Sequence, residues 1–295
     1  MRVLITGSSG QIGTNLGLAL LQRGDSVDGV DIRPNTWTDQ LPTRLLDLSR
    51  AAPADVSAGR SYDAVVHLAA FAKVFELVEH PDRALQNVQM AFAALECARR
   101  GNTPFIFASS REVYGDIHRH ITDEAAADFV VAESPYSASK IAGEAFVYSY
   151  AQCYELPYLV FRFSNVYGRF DADLERMERV IPLFVRKIAR GEPLIIYGRE
   201  KILDFTYYED AVAGIIRGLD ALVARARGRP DDQPRLRTGQ LAGRPGQHSR
   251  AAIGGASASR YDEPARAGEV MATWLTSPRP ASCWGYAPAR PCPRG

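Results

Sequence analysis

The 295-residue chain is 46% hydrophobic and sets 35 Lys and Arg against 34 Asp and Glu, for a formal net charge of +1. That is enough apolar material for one large domain or two. The charge balance excludes a polyanion binder driven by bulk charge, so no nucleic-acid partner is expected, and it excludes a wholly disordered chain. Cys97, Cys153, Cys283 and Cys292 form no Cys-x-x-Cys pair and no zinc-like spacing with a histidine. Neither a disulfide framework nor a metal site is expected, and the expected compartment is the reducing cytoplasm. No apolar run reaches about 18 residues, so no membrane span is expected. The run Val3-Leu4-Ile5 is too short for the apolar core of a signal peptide.

In chain order, short apolar runs at 3–6, 26–31, 64–68, 104–108 and 158–163 read as strands. Helix-length stretches lie between them. Residues 14–22 are apolar at Leu16, Leu18, Ala19 and Leu21, and residues 84–100 at Leu85, Val88, Phe92, Leu95 and Ala98. Almost wholly apolar strands alternating with helices predict an α/β fold, a doubly wound parallel sheet covered on both faces. The pattern runs to about residue 220; residues 225–265 are rich in Arg, Gly, Pro, Ala and Gln and lack periodicity, as a flexible tail would.

The first strand leads into Gly7-Ser8-Ser9-Gly10-Gln11-Ile12-Gly13 and then a helix. Glycines at this spacing permit a sharp turn, close backbone approach to a pyrophosphate and tight helix–strand packing. The helix start adds free N–H groups and the positive end of its dipole. Asp31 ends the second strand, 18 residues after Gly13. It suits the ribose hydroxyls of an adenosine and repels a 2′-phosphate, which favours NAD over NADP; Arg33 nearby argues the other way.

Tyr136 and Lys140 stand four apart, on one face of a helix. A lysine beside a phenol is expected to lower its pKa and make it a general base. Residues 105–110 form a strand ending in Ser109 and Ser110, and ligands bind at the carboxyl ends of strands in such sheets. Ser110 is therefore placed to hydrogen-bond a substrate oxygen.

Taken together, these residues resemble the extended short-chain dehydrogenase/reductases of the nucleotide-sugar epimerase/dehydratase group. The resemblance spans residues 1 to about 222 and adds Asp47-Leu48, His67-Leu68-Ala69-Ala70, Asn87, Arg111-Glu112-Val113-Tyr114-Gly115, Asn165-Val166-Tyr167-Gly168 and Asp204-Phe205. It implies a Rossmann domain over 1–165, with 201–222 packing back on it, and a smaller substrate-binding part from 166–200 and 223–295. It implies that NAD is held by Gly7, Gly10, Gln11, Ile12, Gly13, Asp31, Asp47, Leu48, Leu68, Ala69, Ala70, Asn87, Tyr136 and Lys140. A UDP-sugar would meet Ser110, Arg111, Glu112, Tyr136, Asn165, Arg179 (or Arg176) and Arg266, with Tyr136, Lys140 and Ser110 catalytic. His67 reads as a structural strand-end residue. A homodimer is expected.

Sugar 4,6-dehydratases of this group show Thr-Asp-Glu where this chain has Ser110-Arg111-Glu112. An arginine cannot protonate a departing hydroxyl at neutral pH. Dehydration is therefore disfavoured, and the expected reaction is 4-epimerisation of a UDP-hexose or UDP-hexuronate. UDP-glucuronate decarboxylation stays open through Glu112, and so does an NAD-sensing binding protein, which would hold NAD but no nucleotide sugar. Leu203 stands where several epimerases carry an arginine, with Lys201 a substitute. Beyond residue 223 only Thr238-Gly239, Arg266-Ala267-Gly268-Glu269 and Gly285-Tyr286-Ala287-Pro288 resemble the group. Codons exist for 274–284 that, shifted by two bases, encode a helix-forming string typical of it. Compensating frameshifts, or a divergent tail, are expected there.

Overall fold

The structure, a computed structural model, describes residues 1–114, 132–174, 179–197, 203–226 and the backbone of 260–263. Six parallel strands form the main sheet: β1 (Arg2–Thr6), β2 (Ser26–Asp31), β3 (Thr43–Leu45), β4 (Ala64–His67), β5 (Phe105–Ser110) and β6 (Tyr158–Phe163). Their order is β3-β2-β1-β4-β5-β6, so the chain starts centrally, winds to one edge, returns, and winds to the other. The switch point lies between β1 and β4, where such sheets leave a crevice for a ligand.

Each face of the sheet has its own core. Val3, Ile5, Val66 and Ile106 point to the side covered by α1 (Gln11–Gln22) and α7 (Tyr208–Ala226), through Leu16, Leu20, Ile215 and Leu219. Leu4, Val65, Phe105 and Phe107 point to the other side, covered by α4 (Asp82–Arg100) and α5 (Pro135–Tyr154), with α2 (Pro53–Ser57) beside them. Alternate residues of one strand thus enter opposite cores, which is why these strands read as continuous apolar runs. The helix α3 (Val74–Glu79) precedes α4.

Two strand pairs lie outside the main sheet. β7 (Asn165–Tyr167) pairs in parallel with β9 (Phe205–Tyr207). After α6 (Val180–Ala189), β8 (Leu194–Tyr197) pairs in parallel with β10 (Arg260–Glu263), in register Arg260 to Leu194. The edge strand β3 and the helices α2 and α3 were not apparent in the periodicity: β3 is three residues, two of them polar or charged. Except for β10 and for Arg225 and Ala226 at the end of α7, the irregular stretch 225–265 and the tail to 295 lie outside the described residues. No helix among the described residues is long and apolar enough to cross a membrane. No cluster of metal-ligating side chains occurs among them.

Candidate active site

A cavity of about 510 Å³ opens at the carboxyl ends of the central strands. The glycine-rich turn forms one end. Gly7 has φ of +76°, and a Cβ there would meet the Ala69 backbone nitrogen at 2.7 Å; at Gly13 it would meet the Gly7 carbonyl at 2.2 Å. No side chain is compatible with either contact, so the turn stays bare beside the cavity. Gly10 caps α1 without any side-chain hydrogen bond, which leaves the first N–H groups of the helix for a ligand.

Asp31 lines the same end, and its carboxylate is aimed by two backbone donors. The Ser9 N–H donates to Oδ2 at 2.9 Å, and the Arg33 N–H donates to Oδ1 at 3.2 Å. Burial pushes its pKa up, and the N–H donors oppose this. Ile12, Asp47, Leu48, Leu68, Ala69 and Ala70 also line the cavity. A bare turn, free helix N–H groups and a buried carboxylate fit a dinucleotide with ribose hydroxyls. Asn87 is not on the cavity wall: its amide exchanges hydrogen bonds with the backbone of Phe71 at 2.8 and 3.0 Å and donates to the Ser139 hydroxyl at 3.2 Å. It fixes the wall rather than facing it.

The catalytic candidates meet at the other end of the cavity, on α5 and β5. A reciprocal pair starts α5: Ser134 Oγ accepts from the Ser137 N–H, and Ser137 Oγ accepts from the Ser134 N–H. Pro135 follows as the first helical residue. Tyr136 is thereby fixed in the first turn, and it lines the cavity together with Ser110. Lys140 lies one turn on, where its ammonium donates to the Ala108 carbonyl at 2.8 Å.

Spacing alone led us to expect that Lys140 lowers the Tyr136 pKa; the structure differs. The Lys140 nitrogen stands 5.8 Å from the phenol ring centroid. Burial pushes Tyr136 up to about 12, with Ser110, Arg179 and Arg111 acting against this and Glu112 adding to it. Burial also pushes Lys140 down to about 8. Desolvation outweighs Ser110 and the arginines at Tyr136, and it outweighs Glu144 at Lys140. Beneath them His67 is fully buried, with Nδ1 2.7 Å from the Thr6 hydroxyl and its ring stacked on Phe107 at 5.9 Å. Burial drives it down to about 3, so it is neutral, as a structural residue would be.

A buried tether missed in the sequence locks α5 to the sheet. Glu144 accepts both Arg162 donors at 2.8 and 2.6 Å and the Ser109 hydroxyl at 2.5 Å. The available signal was position: Glu144 is one turn past Lys140 on the same helix face.

The far wall comes from the segment after β6. Asn165 lines the cavity and donates to the Asp204 carbonyl at 2.9 Å. Arg179 lines it too, donating to Gln11 Oε1 at 2.7 Å and the Val166 carbonyl at 2.6 Å and pairing with Asp171 at 3.0 Å. Burial raises Asp171 to about 6. Arg111 and Glu112 are buried on the wall beside Ser110, 3.3 Å apart. Leu203 lines the cavity. Arg176, Lys201 and Arg266 lie outside the described residues.

Residues 3–229 match the NAD dependent epimerase/dehydratase family. The chain belongs to that family. Its sequence is 31% identical to UDP-glucuronate 4-epimerase 1 of Arabidopsis thaliana over 240 residues, 74% of this chain and 55% of that one. It is likewise 31% identical to a dTDP-glucose 4,6-dehydratase of Salmonella typhimurium, covering 71% of this chain and 66% of the enzyme. The chain spans about half the length of the Arabidopsis relatives, 55% and 51% of two of them. Among solved structures, the Thermus thermophilus UDP-glucose 4-epimerase complex with NAD superposes with a TM-score of 0.78 at 25% identity, covering 98% of this chain and 94% of that one. MoeE5 in complex with UDP-glucuronic acid and NAD superposes with 0.76 at 27% identity, covering 97% and 93%. The family is NAD-dependent, its solved neighbours are NAD complexes, and NAD is the cofactor of this chain.

Proposed function

We propose that the protein is a 4-epimerase of a UDP-hexose or UDP-hexuronate. The observation that carries this reading is the convergence of Ser110, Tyr136 and Lys140 on the cavity that holds the glycine-rich turn. NAD, held by the glycine-rich turn and Asp31, would supply reversible hydride exchange at C4 of the sugar. Tyr136 would take the proton of the 4-hydroxyl and return it, the positive charge of bound NAD offsetting the burial that raises its pKa, and Ser110 would hold the same oxygen. Lys140, fixed by the Ala108 carbonyl, would hold the nicotinamide ribose. The bare turn and Asp31 hold the dinucleotide; Asn165 and Arg179 meet the sugar diphosphate. Arg111 stands where a dehydratase needs an acid, so no water is lost. The division into a dinucleotide domain and a smaller substrate part belongs to this proposal. So does a homodimer, for which the exposed Phe92–Phe146 pair on α4 and α5 is apolar surface a second copy would cover.

Glu112, buried on the cavity wall, favours a second reading, UDP-glucuronate decarboxylation. One experiment separates the two. Purified protein is incubated with UDP-glucose and with UDP-glucuronate, without reductant, and the products are resolved by NMR. Inversion at C4 with unchanged mass is expected. A pentose from UDP-glucuronate would make Glu112 catalytic and overturn the epimerase reading, and a 4-keto-6-deoxy sugar would make the protein a dehydratase.

A further inference from the structure

Asp31 and Ile32 line the large cavity, but Arg33 does not. Arg33 lines a separate cavity of about 30 Å³, with Trp37, Phe170, Asp171 and Asp173. Its guanidinium is tied twice. Nη1 donates to Asp173 Oδ2 at 3.1 Å, and Nη2 donates to the Ser9 carbonyl at 3.3 Å. Asp173 lies 140 residues away, in the segment between β7 and α6.

That segment is itself held in place. Asn15 donates to the Arg169 carbonyl at 3.0 Å, the Trp37 and Phe170 rings pack at 5.5 Å, and Asp171 pairs with Arg179 at 3.0 Å. Phe170 sits at φ of +63°, a conformation that a bulky residue keeps only where its surroundings impose it. Asp173 is thus presented to Arg33 by a fixed backbone. A half-exposed ion pair on a loose loop would hold little; a pre-placed carboxylate holds an arginine fork without that entropy loss.

An arginine just past the ribose-binding carboxylate is the group a dinucleotide bearing a 2′-phosphate requires. We propose that Asp173 is a cofactor-specificity residue acting through Arg33. By pairing with the guanidinium it holds Arg33 off the wall of the large cavity, so that Asp31 alone would meet the 2′ position and NADP is refused. Asp173 is a positioning residue here: it touches Arg33, not the dinucleotide. The inference rests on the cofactor assignment and is independent of which sugar is converted.

The test is an exchange equilibrium on the full chain. Protein saturated with NAD is equilibrated with NADP, and the bound dinucleotides are released and quantified. In Asp173→Ala the bound NADP-to-NAD ratio should rise about 5–20-fold, the range for one charge-assisted contact in a partly exposed site. Asp173→Asn should move it in the same direction and stands in if the alanine variant fails to fold. Asp173→Glu should restore the original ratio, and Arg33→Ala/Asp173→Ala should abolish the gain. An unchanged ratio in a folded Asp173→Asn or Asp173→Ala protein, or a gain that survives the loss of Arg33, overturns the proposal. Sugar conversion, read separately by NMR, moves with neither result.

Discussion

The six-stranded sheet and the α6–β8 region are built from similar residue types, yet they bury them differently. In the sheet, Leu4, Ile5, Phe105 and Phe107 are at most 1% exposed and sit between two helical layers. In α6 no side chain is fully buried, and Val185 and Ile195 are 54% and 39% exposed among the described residues. One region gains its stability from apolar area removed from water on both faces. The other has one face packed and one open, the condition of a surface that meets a ligand or another segment. The difference teaches that the sheet is made rigid by its core, whereas the segment after β7 is held by discrete polar contacts such as Arg179 with Gln11 and Asp171.

Four substitutions test that contrast. The largest effect is expected for Phe105→Ala, which removes a fully buried ring stacked near His67. A loss of ~3–5 kcal/mol in urea unfolding is expected for such a cavity. Next, Tyr136→Phe should reduce turnover at least about 10²-fold, the usual worth of a general base, and leave NAD bound. Near-normal C4 inversion by this variant would remove Tyr136 from the mechanism.

The third concerns acid. Hydrogen bonds from Arg99 hold Glu96 down at about 2 from an ordinary 4.5; burial opposes this, and Tyr150 and Arg100 add to it. A lowered carboxylate pKa stabilises the fold above the unfolded value, and that stability is lost as pH falls through the folded one. Wild-type stability should therefore drop between about pH 4.5 and 2, and Glu96→Gln should flatten that part of the curve. An unchanged slope would show that other carboxylates dominate. The smallest effect belongs to Ile195→Ala, below ~1 kcal/mol for a half-exposed residue. A loss there equal to that of Phe105→Ala would dissolve the contrast between the two regions.

What the sequence revealed follows the same division. Apolar runs such as Ala64–His67 and the spacing of Gly7, Gly10 and Gly13 are local signals, and the sheet and the turn were legible from them. The place of Asp31 on the cavity was legible because it depends on distance from the turn. The Glu144–Arg162 tether and the Arg33–Asp173 pair were not, because they join residues 18 and 140 apart that only the fold brings together. The Tyr136 pKa failed for another reason. Spacing reveals the neighbouring lysine but not the depth of burial, and burial decides the direction. The resemblance assigns Asn87 to NAD, but a position in a motif carries no information on which way its amide turns, here to Phe71 and Ser139.

The Glu144 tether bears on how this protein can change. It fastens the helix carrying Tyr136 to β5 and β6, and none of its members comes from residues 165–200. The helix that carries Tyr136 is thereby anchored without the wall at 165–200, although Arg179 of that wall still acts on the phenol. Exchanging that wall for one from a homologue should alter which nucleotide sugar enters while the tyrosine keeps its place, so that new substrate ranges are reachable by grafting a surface rather than by rebuilding a core.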